Sequence, residues 1–162
     1  MLRLVVGLLF AAHGAQKLFG WFGGGGIRGT AGFFASVGYR VPPVTAVLVG
    51  VAELGGGLML AAGLGTPVAA FLLATVMLNA IATVVWPKGL LGGWELELTL
   101  LTVVVALAAT GPGELSLDDA FGWADNLSGI AWASLVLAAA IVTSLLTTTL
   151  GRARADLDEI PG

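Results

Sequence analysis

Hydrophobic positions along this chain gather in five long blocks, not in the short alternations of half-buried strands or amphipathic helices. The blocks lie at residues 2–20, 44–63, 67–86, 94–111 and 130–150. At about 1.5 Å of rise per residue, each can cross a hydrocarbon core of roughly 30 Å as a helix. Prolines stand at the block edges (Pro42-Pro43, Pro67, Pro87 and Pro112), where a missing N–H interrupts no helical hydrogen bond. Trp21, Trp86, Trp94, Trp123 and Trp132 cluster at the same edges, as amphipathic rings at a membrane–water boundary do. The pattern predicts an all-α membrane protein. Residues 1–120 form a four-helix transmembrane bundle, residues 128–150 hold an additional fifth transmembrane helix, and residues 151–162 are a cytoplasmic tail of alternating charge.

The connections add detail. The short link at 64–66 makes the second and third spans an antiparallel hairpin. The first loop is long, beginning with the run Gly23 to Gly26, and then places Phe33, Phe34 and Val37 on one side of a short helix expected to lie in the interface. The glycine run has neither a preceding strand nor a following Lys-Ser/Thr, so it reads as a flexible connector and not as a phosphate loop.

The polar interruptions carry the chemistry. His13, Gln16 and Lys17 stand in the i, i+3, i+4 relation and share one helix face. Counting helical rise from one membrane face puts Lys17 at about 5 Å, His13 and Asn79 at about 10 Å, and Glu53 at about 14 Å. Glu95 and Glu97 open the fourth span, within about 5 Å of the same face. Four helices thus bring polar groups into one half of the bilayer, which predicts a shared polar pocket. Glu53 stands out, since a mid-membrane carboxylate costs roughly 2.5–3.5 kcal/mol on insertion scales and calls for a proton or a cation. His13 lies at the nearest depth. Gly50, Glu53 and Gly57 form one stripe on which a flat ligand or another helix can approach closely.

Structural readings compete at every position. Lys17 can extend past Trp21 to the headgroups. Gln16 and Asn79 can serve as interhelical hydrogen-bonding groups, and Glu95 can cap its own helix or pair with Lys17 or Lys88. Glu97 can be a partly solvated companion, and the two glycines can be plain packing positions. The fifth span carries no ionisable group and is explained by packing or oligomerisation.

Composition narrows the classes. The chain is 57% hydrophobic and 10% charged, with mean hydropathy +0.98, too few polar groups to cover a water-soluble surface. A net charge of −3 without a basic cluster argues against nucleic-acid binding. The absence of cysteine excludes disulfides, thiolate zinc and iron–sulfur clusters held by this chain. A single histidine excludes bis-histidine haem, and one histidine with carboxylates makes a poor transition-metal site. The basic residues Arg28, Arg40, Lys88, Arg152 and Arg154 fall on one side of a five-span chain, and Arg3 with Glu114, Asp118, Asp119 and Asp125 on the other. The positive-inside rule then predicts N-out/C-in, with the polar pocket in the cytoplasmic half. Ala12-His13-Gly14 also fits a signal-peptidase site, but the first block reads as a retained signal-anchor span.

Several short motifs, in order, resemble the DoxX family of small bacterial integral membrane proteins. They are Gly7-Leu8-Leu9-Phe10 before His13-Gly14, then Lys17-Leu18-Phe19-Gly20, Val51-Ala52-Glu53-Leu54-Gly55-Gly56-Gly57, Met77-Leu78-Asn79-Ala80 and Gly92-Gly93-Trp94-Glu95. Gly111-Pro112-Gly113-Glu114-Leu115-Ser116-Leu117-Asp118 closes the series. The resemblance implies a four-helix bundle in the bacterial inner (plasma) membrane, multi-pass, linked to quinone and to sulfur or oxidative-stress redox systems, often as a partner subunit. The fifth span departs from that pattern.

Together these readings predict a redox-associated subunit that holds a quinone headgroup or relays protons. His13 and Glu53 are the catalytic candidates, with Gln16, Lys17, Gly50, Gly57, Asn79, Glu95 and Glu97 around the pocket. Redox partner subunits or a homo-oligomer, and the lipid bilayer, are the expected partners. A non-catalytic scaffold, whose polar cluster only specifies packing, is the alternative. A proton-coupled small-solute transporter is the third reading, although no inverted repeat is apparent.

Overall fold

A computed structural model describes residues 1–153; the expected tail beyond Ala153, including Arg154, lies outside the described residues. Helix α1 (Leu2–Phe19) is followed by a short α2 (Gly26–Ser36), α3 (Pro42–Ala62) and α4 (Thr66–Ala80). Helix α4 widens into a π-type turn at Ile81–Val85 and tightens again at Trp86–Lys88. After a break at Gly89 and a wide turn at Leu90–Trp94 come α5 (Glu95–Thr110), the single-turn α6 (Leu117–Ala120) and α7 (Ile130–Gly151). Five helical stretches are long and apolar enough to cross a membrane: Leu2–Phe19, Pro42–Ala62, Thr66–Lys88, Leu90–Thr110 and Ile130–Gly151. Helices therefore stand where the spans were predicted, and the short helix expected in the first loop is α2.

Helix α4 is the centre of the bundle. It packs against α3, α5 and α7, and its Ala69, Ala70, Leu73 and Ala74 are fully buried. Small residues there let three neighbours approach one axis. Many leucines, valines and isoleucines elsewhere on the spanning helices are exposed, as suits side chains whose solvent is lipid.

A seam of glycines joins α1 to α3. A Cβ on Gly7 would lie 2.6 Å from the Gly57 carbonyl oxygen, and one on Gly14 would lie 2.7 Å from the Gly50 carbonyl oxygen. Backbone faces backbone, so neither helix could yield to a side chain. The i, i+7 spacing of both glycine pairs repeats the contact every two turns along a gently crossing pair.

The two ends of the bundle are built differently. At one end Arg3 donates from Nε to the Ala61 carbonyl at 3.1 Å, and its Nη atoms donate to the carbonyls of Pro112 and Leu115. Asp118, fully buried, accepts from the Gly65 N–H at 2.7 Å, the Thr66 N–H at 3.0 Å and the Thr66 hydroxyl at 2.9 Å. Its carboxylate thereby satisfies donors at the N-terminus of α4 that the helix cannot. This latch folds the 111–118 segment over the α3–α4 turn.

At the other end, the Arg40 N–H donates to the Gly151 carbonyl and the Ala153 N–H to the Gly38 carbonyl. Arg152 Nε donates to the Val37 carbonyl at 3.1 Å. This clasp fastens the end of α7 to the α2–α3 connection. The glycine-rich segment after α1 has defined geometry where a connector of slack chain was expected. Gly20 closes α1 in the left-handed region at φ +75°, and a Cβ on Gly24 would lie 2.7 Å from Gln16 Cα.

Candidate functional site

The polar residues of the spans converge on a cleft of about 850 Å³ at the clasp end, walled by α1, α3, α4, α5 and α7, with α2 contributing Phe33 and Phe34. Most of its wall is apolar. His13, Lys17, Glu53, Asn79 and Glu97 line it, as the depth argument expects; Gln16, Gly50, Gly57 and Glu95 do not.

Glu53 is the most buried ionisable group lining the cleft. Its side chain is 3% exposed and forms a salt bridge with Lys17, which is 28% exposed. The glycine seam explains how they meet: with Gly50 and Gly57 holding α3 against α1, the Lys17 arm runs across the seam to Glu53. The cation that Glu53 requires is therefore Lys17, although His13 lies nearer in depth. An ammonium carries three N–H donors, and Glu53 occupies one of them.

His13 is more exposed and bonds within its own helix: Nδ1 lies 3.1 Å from Gln16 Oε1. Gln16 Nε2 donates in turn to the Phe22 carbonyl at 3.2 Å, which identifies Oε1 as the acceptor facing the ring. Nδ1 therefore carries a proton, and in the neutral ring Nε2 presents a lone pair. Gln16 thus orients the histidine without touching the cleft itself.

Asn79 is committed to the framework. Its Nδ2 donates to the Thr75 carbonyl at 2.9 Å, and its Oδ1 accepts from the Thr147 hydroxyl at 2.8 Å, tying α4 to α7. The cleft hydroxyls of Thr75 and Thr83 donate to the carbonyls four residues earlier in their own helix. Glu95 is engaged locally, accepting from the Gly92 N–H just before α5 at 2.8 Å. Glu97 differs: among the described residues its Oε2 is the one buried side-chain oxygen or nitrogen with no hydrogen-bond partner.

Two features lay outside the reach of the sequence. Helix α7 was expected only to pack, yet Thr143, Leu146, Thr147 and Leu150 form a wall of the cleft. The Arg3 and Asp118 latch joins residues 52–112 positions apart. The only hint of it was a conspicuous Gly-Pro-Gly loop followed by an aspartate.

Five apolar spans around a buried ion pair define a multi-pass helical membrane protein. The chain belongs to the DoxX family, whose profile matches residues 1–86. A Bacillus subtilis (strain 168) protein named "Putative oxidoreductase CatD" is 34% identical over 118 residues, covering 73% of this chain and 82% of that protein. No solved structure matches the chain.

Proposed function

We propose that the protein is a redox-associated membrane subunit whose cleft holds a quinone headgroup and passes protons to and from it. The observation that carries this reading is a mostly apolar cleft of about 850 Å³ with a buried ion pair in its wall. Its size lies in the range of small-molecule sites, which combine apolar walls with a few placed polar groups. The name of the Bacillus subtilis relative supports a redox role. The charge asymmetry of the two ends supports a cytoplasmic position for the clasp end in a bacterial inner membrane.

The donor set fits such a group. Lys17 has spare N–H donors for a carbonyl oxygen, and His13 Nε2 is free to take or give a proton. Glu53 fixes the ammonium in place, and the mostly apolar walls give the ring a surface to lie against. A bound quinone supplies two-electron chemistry that this chain's own side chains do not offer. Residues Phe10, Phe33, Phe34 and Phe71 present apolar surface to it.

A second reading, a scaffold without a ligand, is favoured by one observation: Asn79, Thr75, Thr83 and Thr147 spend their polar atoms on helix backbone and on each other. Solvent extraction and mass spectrometry of gently purified protein separate the two. Under the quinone reading, wild type retains quinone and both His13→Ala and Glu53→Gln lose it. Wild type free of quinone, or variants that retain it unchanged, overturns this reading, and co-purified partner subunits would then favour the scaffold.

A further inference from the structure

The quinone reading uses the α1–α3 side of the cleft and leaves Glu97 of α5 unexplained. Its Oε2 is buried without a partner, which leaves its desolvation uncompensated. Such groups in native proteins are rare and ask for a cause. Helix capping does not supply one, because no side chain, Glu97 included, caps the N-terminus of α5. An ion pair does not supply one either, since among the described residues the Lys17–Glu53 pair is the one salt bridge. Glu97 lines the same cleft as that pair but arrives from a different helix, and α3 and α5 both pack on α4.

We propose that Glu97 is the second anchor of the bound ring: its carboxyl hydrogen-bonds the ring oxygen opposite the one that Lys17 holds. The inference rests on the quinone reading and specifies its substrate class as a para-quinone, with two oxygens on opposite sides of one ring. Carboxyl chemistry matches both forms of that ligand. A carboxylic acid donates to a carbonyl oxygen, and a carboxylate accepts from the hydroxyl that replaces the carbonyl on reduction. A carboxamide or hydroxyl already engaged with its own helix, as at Asn79 or Thr83, is not free to do this.

The test compares two probes on full-length protein in lipid nanodiscs, followed by quenching of tryptophan fluorescence. Menadione has two carbonyls on a fused ring; a tetralone of the same ring size has one. One good hydrogen bond corresponds to about a tenfold difference in affinity, so wild type is expected to bind menadione about tenfold more tightly than the tetralone. Glu97→Leu is expected to bind both equally, with its tetralone affinity unchanged. Should that variant fail to fold, Glu97→Thr, whose hydroxyl would bond its own helix as those of Thr75 and Thr83 do, is expected to lose the preference in the same way. A folded variant that keeps the tenfold preference overturns the role of Glu97 and leaves the quinone reading intact. Wild type that binds neither probe overturns both.

Discussion

Replacing Lys17 with methionine should harm this protein more than replacing its partner, although the two form a single ion pair. The reason is the difference in exposure: Glu53 is 3% exposed and Lys17 28%. Lys17→Met leaves the Glu53 carboxyl in an apolar wall without its ion-pair partner, and stranding one half of a buried pair costs about 3–5 kcal/mol. Glu53→Gln leaves an ammonium on a flexible stem, two residues from the end of α1, that can extend to the headgroups. Its cost should be near a net hydrogen bond, about 0.5–1.5 kcal/mol. The double variant Lys17→Met/Glu53→Leu removes both charges and should return to within about 1 kcal/mol of wild type. Unfolding in mixed detergent micelles, titrated with SDS and followed by circular dichroism, reads all three. Equal losses for Lys17→Met and Glu53→Gln would refute the reasoning, as would a double variant no better than Lys17→Met.

Three further substitutions probe the frame around the site. Gly14→Leu drives a side chain into the α3 backbone, where even a Cβ meets the Gly50 carbonyl oxygen at 2.7 Å, and should cost about 1–3 kcal/mol or more. Gly55→Ala, with nothing within 4 Å of its Cβ, should be neutral or stabilise by up to about 1 kcal/mol in the same unfolding assay. Asp118→Ala strands the N–H groups of Gly65 and Thr66 and should cost about 1.5–3 kcal/mol, seen as early proteolysis at the α3–α4 turn. A double-mutant cycle on Asn79 and Thr147 should give a coupling of about 0.6–1.7 kcal/mol between α4 and α7; additive losses would contradict the hydrogen bond.

The spans were legible because hydropathy over twenty residues reports burial in lipid directly, with proline and tryptophan marking the ends. Level along the helices was legible too, since helical rise is fixed, and Lys17, Glu53, Asn79 and Glu97 line one cleft. Rise does not give the rotation of one helix against another. So the choice between His13 and Lys17 as the partner of Glu53 was set by the glycine seam, whose register appears only once α1 and α3 are packed. Gln16 looked like a pocket residue because it shares a face with His13, yet its amide is drawn outward by the Phe22 carbonyl. Gly50 and Gly57 turned out to bring the backbones of α1 and α3 together, with no share in the cleft wall. Helix α7 was unreadable as a wall because its threonines carry no charge and those at 148 and 149 bond their own helix. The Arg3 and Asp118 latch depends on carbonyl and N–H groups, which every sequence contains.

The central claim is that a quinone ring sits in the cleft beside the Lys17–Glu53 pair, and photolabelling tests it most directly. A photoreactive quinone analogue, irradiated with the protein in nanodiscs and mapped by peptide mass spectrometry, is predicted to label cleft residues such as Phe34, Phe71 and Leu146, with labelling abolished by excess unlabelled quinone. Labels spread over the lipid-facing leucines of α1 and α7, undiminished by competitor, would contradict the account.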